Sequence, residues 1–329
     1  MATMNVIQAI TAALHAEMQR DQRVIIIGED VGRLGGVFQA TVGLAQEFGS
    51  QRVIDAPLAE SSIVGIAIGA ATSGLLPVAE IQFADFIYPA VDQIINEAAR
   101  IRYRTANGYG CPLVIRAPYG VVPGGGGGLY HSQSVESLFV GTPGLKIVAP
   151  CTPYDVKGLL IAAIRDPDPI LFLEHKATYR GVKGEVPEDD YTLPIGRADV
   201  KREGSDVSVI TYGLMVHHAL VAAARLAEEN IFVEVVDLRT LQPLDYPAIA
   251  KTVQKTGKVL VAHEANVTGG LGAEVAAFIA DECLFYLDAP IKRLASPDVP
   301  LAPFHHNLEE QLVPNEDTLV AAIRSLARF

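Results

Sequence analysis

Cysteine is scarce in this chain. Cys111, Cys151 and Cys283 are the only three, and their wide spacing shows no metal-ligand pattern. That rules against a disulfide framework and reads as small buried hydrophobes in a reducing compartment. Positive charge is also short, with 26 Lys and Arg against 38 Asp and Glu and a net charge of -12. Such a surface repels both nucleic acid and anionic membrane, so neither is expected as a partner. The start, Met-Ala-Thr-Met-Asn, has no basic run and no signal peptide, which places the expected compartment in the cytoplasm. There is no low-complexity tract. The five glycines of residues 124–128 are not followed by Gly-Lys-Ser/Thr, which points away from a phosphate-cradling loop. Thr268-Gly-Gly-Leu-Gly272 lacks the Gly-x-Gly-x-x-Gly spacing of a dinucleotide site and reads as a helix-entry turn.

What is present is a chain of 329 residues, half of them hydrophobic. Single cores rarely grow past about 250–300 residues, so two domains are expected. Apolar runs at residues 24–27, 53–54, 78–82, 112–117, 145–149 and 170–174 read as buried parallel strands. Between them, helical spacing covers residues 6–18, 41–48, 86–105 and 154–165. Arg100, Arg102 and Arg104 near the end of the third helical stretch suit the negative end of a helix. The alternation predicts a doubly wound, mainly parallel α/β sheet for residues 1–190. A charged, proline-containing stretch from His175 onward marks a linker, set at 191–205, before a smaller α/β domain at 206–329. That domain repeats strand and helix at 207–212, 219–228, 232–238, 246–254 and 259–263, and ends in helical sequence at 318–327.

One stretch stands out. Glu60 is followed by 19 uncharged residues, 61–79, and then by Glu80-Ile-Gln82-Phe-Ala-Asp85. The run is long enough to cross a membrane, but Ser61, Ser62, Thr72, Ser73, three glycines and Pro77 make it a poor span. It reads instead as a small-faced, closely packed helix with a carboxylate buried at its mouth. Burial favours the protonated carboxyl by up to several pKa units, whereas a helix N-terminus favours the anion by only about 0.3–1 kcal/mol. A plain helix cap or an arginine partner is the structural alternative.

Leu58-Ala-Glu60-Ser, Glu80-Ile-Gln82-Phe-Ala-Asp85 and Leu129-Tyr130-His131-Ser-Gln-Ser134, in that order, resemble the β subunits of thiamine-diphosphate-dependent 2-oxo acid dehydrogenases. The branched-chain type fits best, and the resemblance covers essentially the whole chain. It implies a transketolase-like fold, with a pyrimidine-binding domain followed by a transketolase C-terminal domain. It also implies oxidative decarboxylation of a 2-oxo acid, with acyl transfer to the lipoyl group of a dihydrolipoyl acyltransferase core (E2).

By the same resemblance, Glu60 shares a proton with the cofactor's aminopyrimidine, and Leu58, Gln82, Phe83 and Phe86 line its site. Phe86 stands where the family often has tyrosine, so any hydroxyl contact there is missing. His131 is expected to donate to the substrate. Leu113, Ala163, Ile164, Asp166 and Asp168 match a structural potassium (K+) loop, with Asp168 in place of the usual asparagine. The family's Gly-Asp-Gly…Asn motif for diphosphate and Mg2+ is absent. An uncompensated diphosphate needs that half of the site from elsewhere, so an α subunit and an α2β2 assembly are implied. Docking of the acyltransferase core is expected on the C-terminal domain. Pyruvate is the alternative substrate, suggested against by Tyr130-His-Ser-Gln-Ser134 and His263-Glu264-Ala-Asn-Val-Thr-Gly-Gly270. A non-catalytic scaffold subunit, or a self-sufficient transketolase-like enzyme of about twice the length, are the other readings.

Overall fold

The computed structural model describes residues 1–125 and 127–329, with the side chain of His306 outside the description. The run of glycines at 124–128 therefore includes one position, Gly126, outside the described residues. The chain packs as two units. One is Met1–Tyr119 with Leu138–Ile195, and the other is Gly120–Ser137 with Gly196–Phe329. The segment that carries His131 thus packs with the C-terminal part of the chain, although in sequence it lies inside the expected first domain.

In the first unit the parallel strands run, in spatial order, Lys146–Val148, Ile170–His175, Val114–Tyr119, Leu76–Glu80, Val24–Gly28, Val53–Asp55. Val-Ile-Ile-Ile-Gly and its neighbours are apolar without alternation because the strands are covered on both faces. Ile10, Leu14 and Met18 of helix Val6–Arg20 and Leu159 and Leu160 of helix Pro153–Ile164 share one core with Val24 and Ile26. Each such buried side chain contributes about 1.5–3 kcal/mol. Asn5 and Gln8 form a reciprocal capping box at the start of the first helix. From Val24–Gly28 the chain moves outward to Val53–Asp55, then returns to the other side for Leu76–Glu80. The carboxyl end of Val24–Gly28 is therefore a topological switch point, the place where open α/β sheets leave a crevice for ligands. Gly28 permits the tight spacing there, since a Cβ on it would lie 2.9 Å from the Glu80 carbonyl oxygen and 2.9 Å from Val31.

The second unit has the order Lys292–Ser296, Val259–Asn266, Val207–Thr211, Val233–Asp237, Asp199–Arg202, parallel except for the last strand. Asp245 caps helix Tyr246–Thr256, which ends on the left-handed Gly257 at φ 64. Thr268-Gly-Gly-Leu-Gly272 does open a helix, Leu271–Glu282.

Three local expectations change. The strand expected at 78–82 is Leu76–Glu80, so Gln82 and Phe83 lie past its end. The single helix expected over 86–105 is broken into turns at Ala84–Phe86 and Tyr88–Ala90, a π-helical Gln93–Ala98 and a short helix Ile101–Arg104. Pro89 has no N–H for a continuous ladder and sits at the start of a new turn. The linker-like sequence after His175 also holds structure. Lys183–Val186 pairs with Ala2–Asn5, and Asp199–Arg202 forms the antiparallel edge of the second sheet. Edge strands tolerate charge, which hid both from a search for apolar runs.

Candidate active site

Three adjacent parallel strands deliver three loops to one edge of the first sheet. Gly28 is in register with Asp55 on one side and Glu80 on the other. Glu29 follows the first strand, Glu60 the second after a short loop, and Gln82 and Phe83 the third. Glu60 is the first residue of helix Glu60–Thr72 and only 8% exposed. Ala59 before it makes no side-chain cap, so Glu60 is the one acidic group in that first turn. Asp55 is committed to structure, its carboxylate accepting the Gly32 and Arg33 N–H groups at 2.6 and 3.1 Å. Glu29, which carries no local signal of a role, is close enough to feel Glu60. Burial pushes its pKa up, and the charges of Glu60 and Asp30 add to the shift.

Gln82, Phe83 and Phe86 are half-buried and adjacent. Phe83 and Phe86 meet edge to face at 5.5 Å, Phe38 joins Phe83 at 5.3 Å, and Tyr179 joins Phe38 at 5.0 Å. The Lys176 ammonium lies 5.7 Å from the Phe83 ring centre. Phe38, Tyr179 and Lys176 come from distant parts of the sequence, and nothing local marks them. A buried carboxylate and a wall of aromatic rings, both following strands at one edge of the sheet, suit a planar, hydrogen-bonding heterocycle, and in that sense these residues fit the pyrimidine end of the implied cofactor. Leu58 is 79% exposed in the single chain.

Beneath this edge lies a buried ionic cluster. Arg116 donates from Nε and Nη2 to Glu174 at 2.6 and 2.8 Å and from Nη1 to Glu80 at 2.5 Å. Tyr179 donates its hydroxyl to Glu174 at 2.6 Å. Burial raises the Glu80 pKa while Arg116 opposes it. Burial also works against the Arg116 charge, but Glu174 and Glu80 outweigh it and hold its pKa above the ordinary value. Tyr179 is pushed well up, by burial first and then by the Glu174 charge, so it stays a neutral donor. Glu80, prominent in the sequence motif, is therefore part of the site's foundation.

The expected potassium loop is differently engaged. Both Asp166 oxygens accept from the Lys146 ammonium at 2.7 Å, and Asp168 pairs with Arg102 at 2.5 Å. The Leu113 carbonyl takes the Ile170 N–H at 2.8 Å and that of Ala163 takes the Asp166 N–H at 3.2 Å. Ile164 ends helix Pro153–Ile164 and is buried. The cationic side chains already neutralise these carboxylates, so a potassium ion does not fit this arrangement.

His131 belongs to the second unit. It is exposed, and its Nδ1 lies 3.2 Å from the Gly127 carbonyl oxygen. Ser132 beside it is buried.

Comparison with known proteins matches residues 2–182 to the pyrimidine-binding domain of transketolase and residues 196–319 to the transketolase C-terminal domain. The chain is 60% identical over 329 residues to the 2-oxoisovalerate dehydrogenase subunit beta of Bacillus subtilis, covering 100% of both chains. It is 48% identical over 333 residues to the pyruvate dehydrogenase E1 component subunit beta of the same organism, again covering 100% of both. Among solved structures, a split-gene transketolase described as an inactive β4 tetramer matches with a TM-score of 0.80 and 24% identity, over 99% of this chain and 98% of that one. That last likeness concerns the fold. Among the described residues, no helix is long and apolar enough to cross a membrane.

Proposed function

This chain belongs to the β subunits of thiamine-diphosphate-dependent 2-oxo acid dehydrogenases, and from that membership we propose that it serves the oxidative decarboxylation of branched-chain 2-oxo acids. The observation that carries the reading is Glu60, a buried carboxylate at the first position of a helix on the carboxyl edge of the parallel sheet. The 60% identity to a 2-oxoisovalerate dehydrogenase subunit, against 48% to a pyruvate dehydrogenase subunit, supports the branched-chain substrate class.

Thiamine diphosphate, when bound, supplies the electron sink that lets the carboxyl group leave as carbon dioxide. The rest falls to this chain's side chains and to a partner. Glu60 would share a proton with the pyrimidine of the bound cofactor. Phe83 and Phe86 would flank the cofactor's pyrimidine, Gln82 would add a polar contact, and Leu58 would close the edge of the site. Phe86 offers no hydroxyl. His131, whose Nδ1 lies 3.2 Å from the Gly127 carbonyl oxygen, would donate to the substrate. The missing diphosphate motif assigns Mg2+ and the diphosphate to an α subunit in an α2β2 assembly. Potassium is left out of this reading. The C-terminal unit is assigned to docking the acyltransferase core.

The test is a decarboxylation panel on this chain reconstituted with an α subunit of the same family. Higher kcat/KM for 2-oxoisovalerate than for pyruvate is expected. A preference for pyruvate would assign the chain to the other branch. No decarboxylation of any 2-oxo acid by a well-folded α2β2 complex would overturn the reading.

A further inference from the structure

The motif His263-Glu264-Ala-Asn has no part in the chemistry above, yet the structure gives its carboxylate a specific task. Glu264 lies in strand Val259–Asn266 and is buried. Its Oε1 accepts the backbone N–H of Val121 at 2.8 Å and the hydroxyl of Ser134 at 3.0 Å. These donors stand at the two ends of the glycine-rich segment that carries His131. A single oxygen therefore ties the segment across its base, beside the backbone bond from Gly120 N–H to the Gln133 carbonyl at 3.1 Å. Two further ties come from the C-terminal part of the same unit. Glu309 accepts the Gly124 N–H at 2.8 Å, and Gln133, which also donates to the Leu129 carbonyl within the segment, donates to the carbonyl oxygen of Leu301. Val121 packs with Leu301 and Ala302 in a small separate apolar cluster.

The glycines of this segment give it little conformational preference of its own. Hydrogen bonds to an ionised acceptor are about twice as strong as neutral ones, so a buried carboxylate can impose what the local sequence does not. From this we infer that Glu264 is the positioning residue for His131, clamping the two ends of its loop.

The neighbouring Glu136 cannot do this work. Its Oε1 takes the Tyr212 hydroxyl at 2.5 Å, and among the described residues its buried Oε2 has no hydrogen-bond partner. Burial pushes its pKa up to about 7, with Tyr212 opposing and the Glu264 charge adding to the rise. Of the two buried carboxyls, Glu264 is the one that receives donors from the loop.

The inference rests on the proposed role of His131, and its test separates the two. Glu264→Ala and Glu264→Gln are prepared in the full α2β2 enzyme, each alone and combined with His131→Ala, with melting temperature as the folding control. Amide hydrogen exchange is read at Val121, whose N–H bonds Glu264 directly, and kcat and KM are measured with 2-oxoisovalerate. Glu264→Ala is expected to speed exchange at Val121 by at least about tenfold, the size of one lost charge-assisted bond. It should also lower kcat by a factor that disappears in the His131→Ala background. Glu264→Gln, whose amide oxygen still accepts both donors, should recover most of both effects. Unchanged exchange in Glu264→Ala, or an equal loss of kcat with and without His131, would overturn the inference. The exchange arm needs no turnover. Faster exchange in an enzyme that decarboxylates nothing upholds the clamp and overturns the functional reading instead.

Discussion

Arg116 and Glu174 form a buried two-bond pair, Nε to Oε1 at 2.6 Å and Nη2 to Oε2 at 2.8 Å, from neighbouring strands at positions two residues apart in register, since Arg116 lies opposite Phe172 and Glu174 opposite Pro118. The third guanidinium bond, to Glu80, crosses to the strand on the other side. One cation thus joins three adjacent strands just below the edge that carries Glu60 and Gln82. Replacing Arg116 with Met would leave two buried carboxylates without their counter-charge. The expected loss is about 3–5 kcal/mol, read as a lower urea midpoint at unchanged slope. A loss below about 1 kcal/mol would mean that the cluster is solvated or that both acids are protonated.

Glu136 makes stability depend on pH near neutrality. Its folded pKa of about 7 lies above the ordinary 4.5, so the folded state holds a proton that the unfolded state has lost between those values. Stability from this group is therefore full below pH 4.5 and declines as pH rises through about 7. Glu136→Gln keeps an acceptor for Tyr212 and removes the titration. The variant should gain about 1–3 kcal/mol over wild type near pH 8 and almost nothing near pH 4. Parallel stability curves for the two proteins across that range would show that Glu136 titrates normally.

With Lys146 and Arg102 seated on Asp166 and Asp168, the chain should show no specific need for potassium. Its melting temperature in potassium chloride is expected to match that in choline chloride at equal ionic strength. Ligands that bind the folded state raise stability by mass action, so a potassium-specific rise would reveal a site that these side chains vacate.

The C-terminal part from Asp206 to Phe329 carries sixteen acidic against nine basic side chains. If it docks a basic domain of the acyltransferase core, the association rate should fall steeply with added salt and slow on charge reversal within this part alone. An association rate indifferent to ionic strength would leave those acids as an ordinary solvated surface.

Much of this was readable in the sequence because its signals are local. Val-Ile-Ile-Ile-Gly28 announces a covered strand, and Glu60 at the edge of 19 uncharged residues announces a buried carboxylate. What escaped depends on partners far apart in the chain. Glu174 reads as the polar end of a strand until Arg116 and Tyr179 are seen on it. Phe38 looks like an ordinary loop residue until it contacts both Phe83 and Tyr179. Residues 120–137 look continuous with the first domain, yet they pack with the second because their donors find Glu264 and Glu309. Asp166 and Asp168 were linked to an ion only through the family resemblance, and the cations seated on them, Lys146 and Arg102, come from elsewhere in the chain.

The central claim is that Glu60 holds the proton that activates the cofactor. The most direct measurement is exchange of the C2 proton of thiamine diphosphate, followed by rapid-quench NMR, in the α2β2 enzyme carrying Glu60→Gln. An amide at this position cannot pass a proton to the pyrimidine. Exchange should slow by about 10²–10⁴, the usual worth of a positioned acid or base, at unchanged melting temperature. Exchange at the wild-type rate in the folded, cofactor-loaded variant would contradict the account.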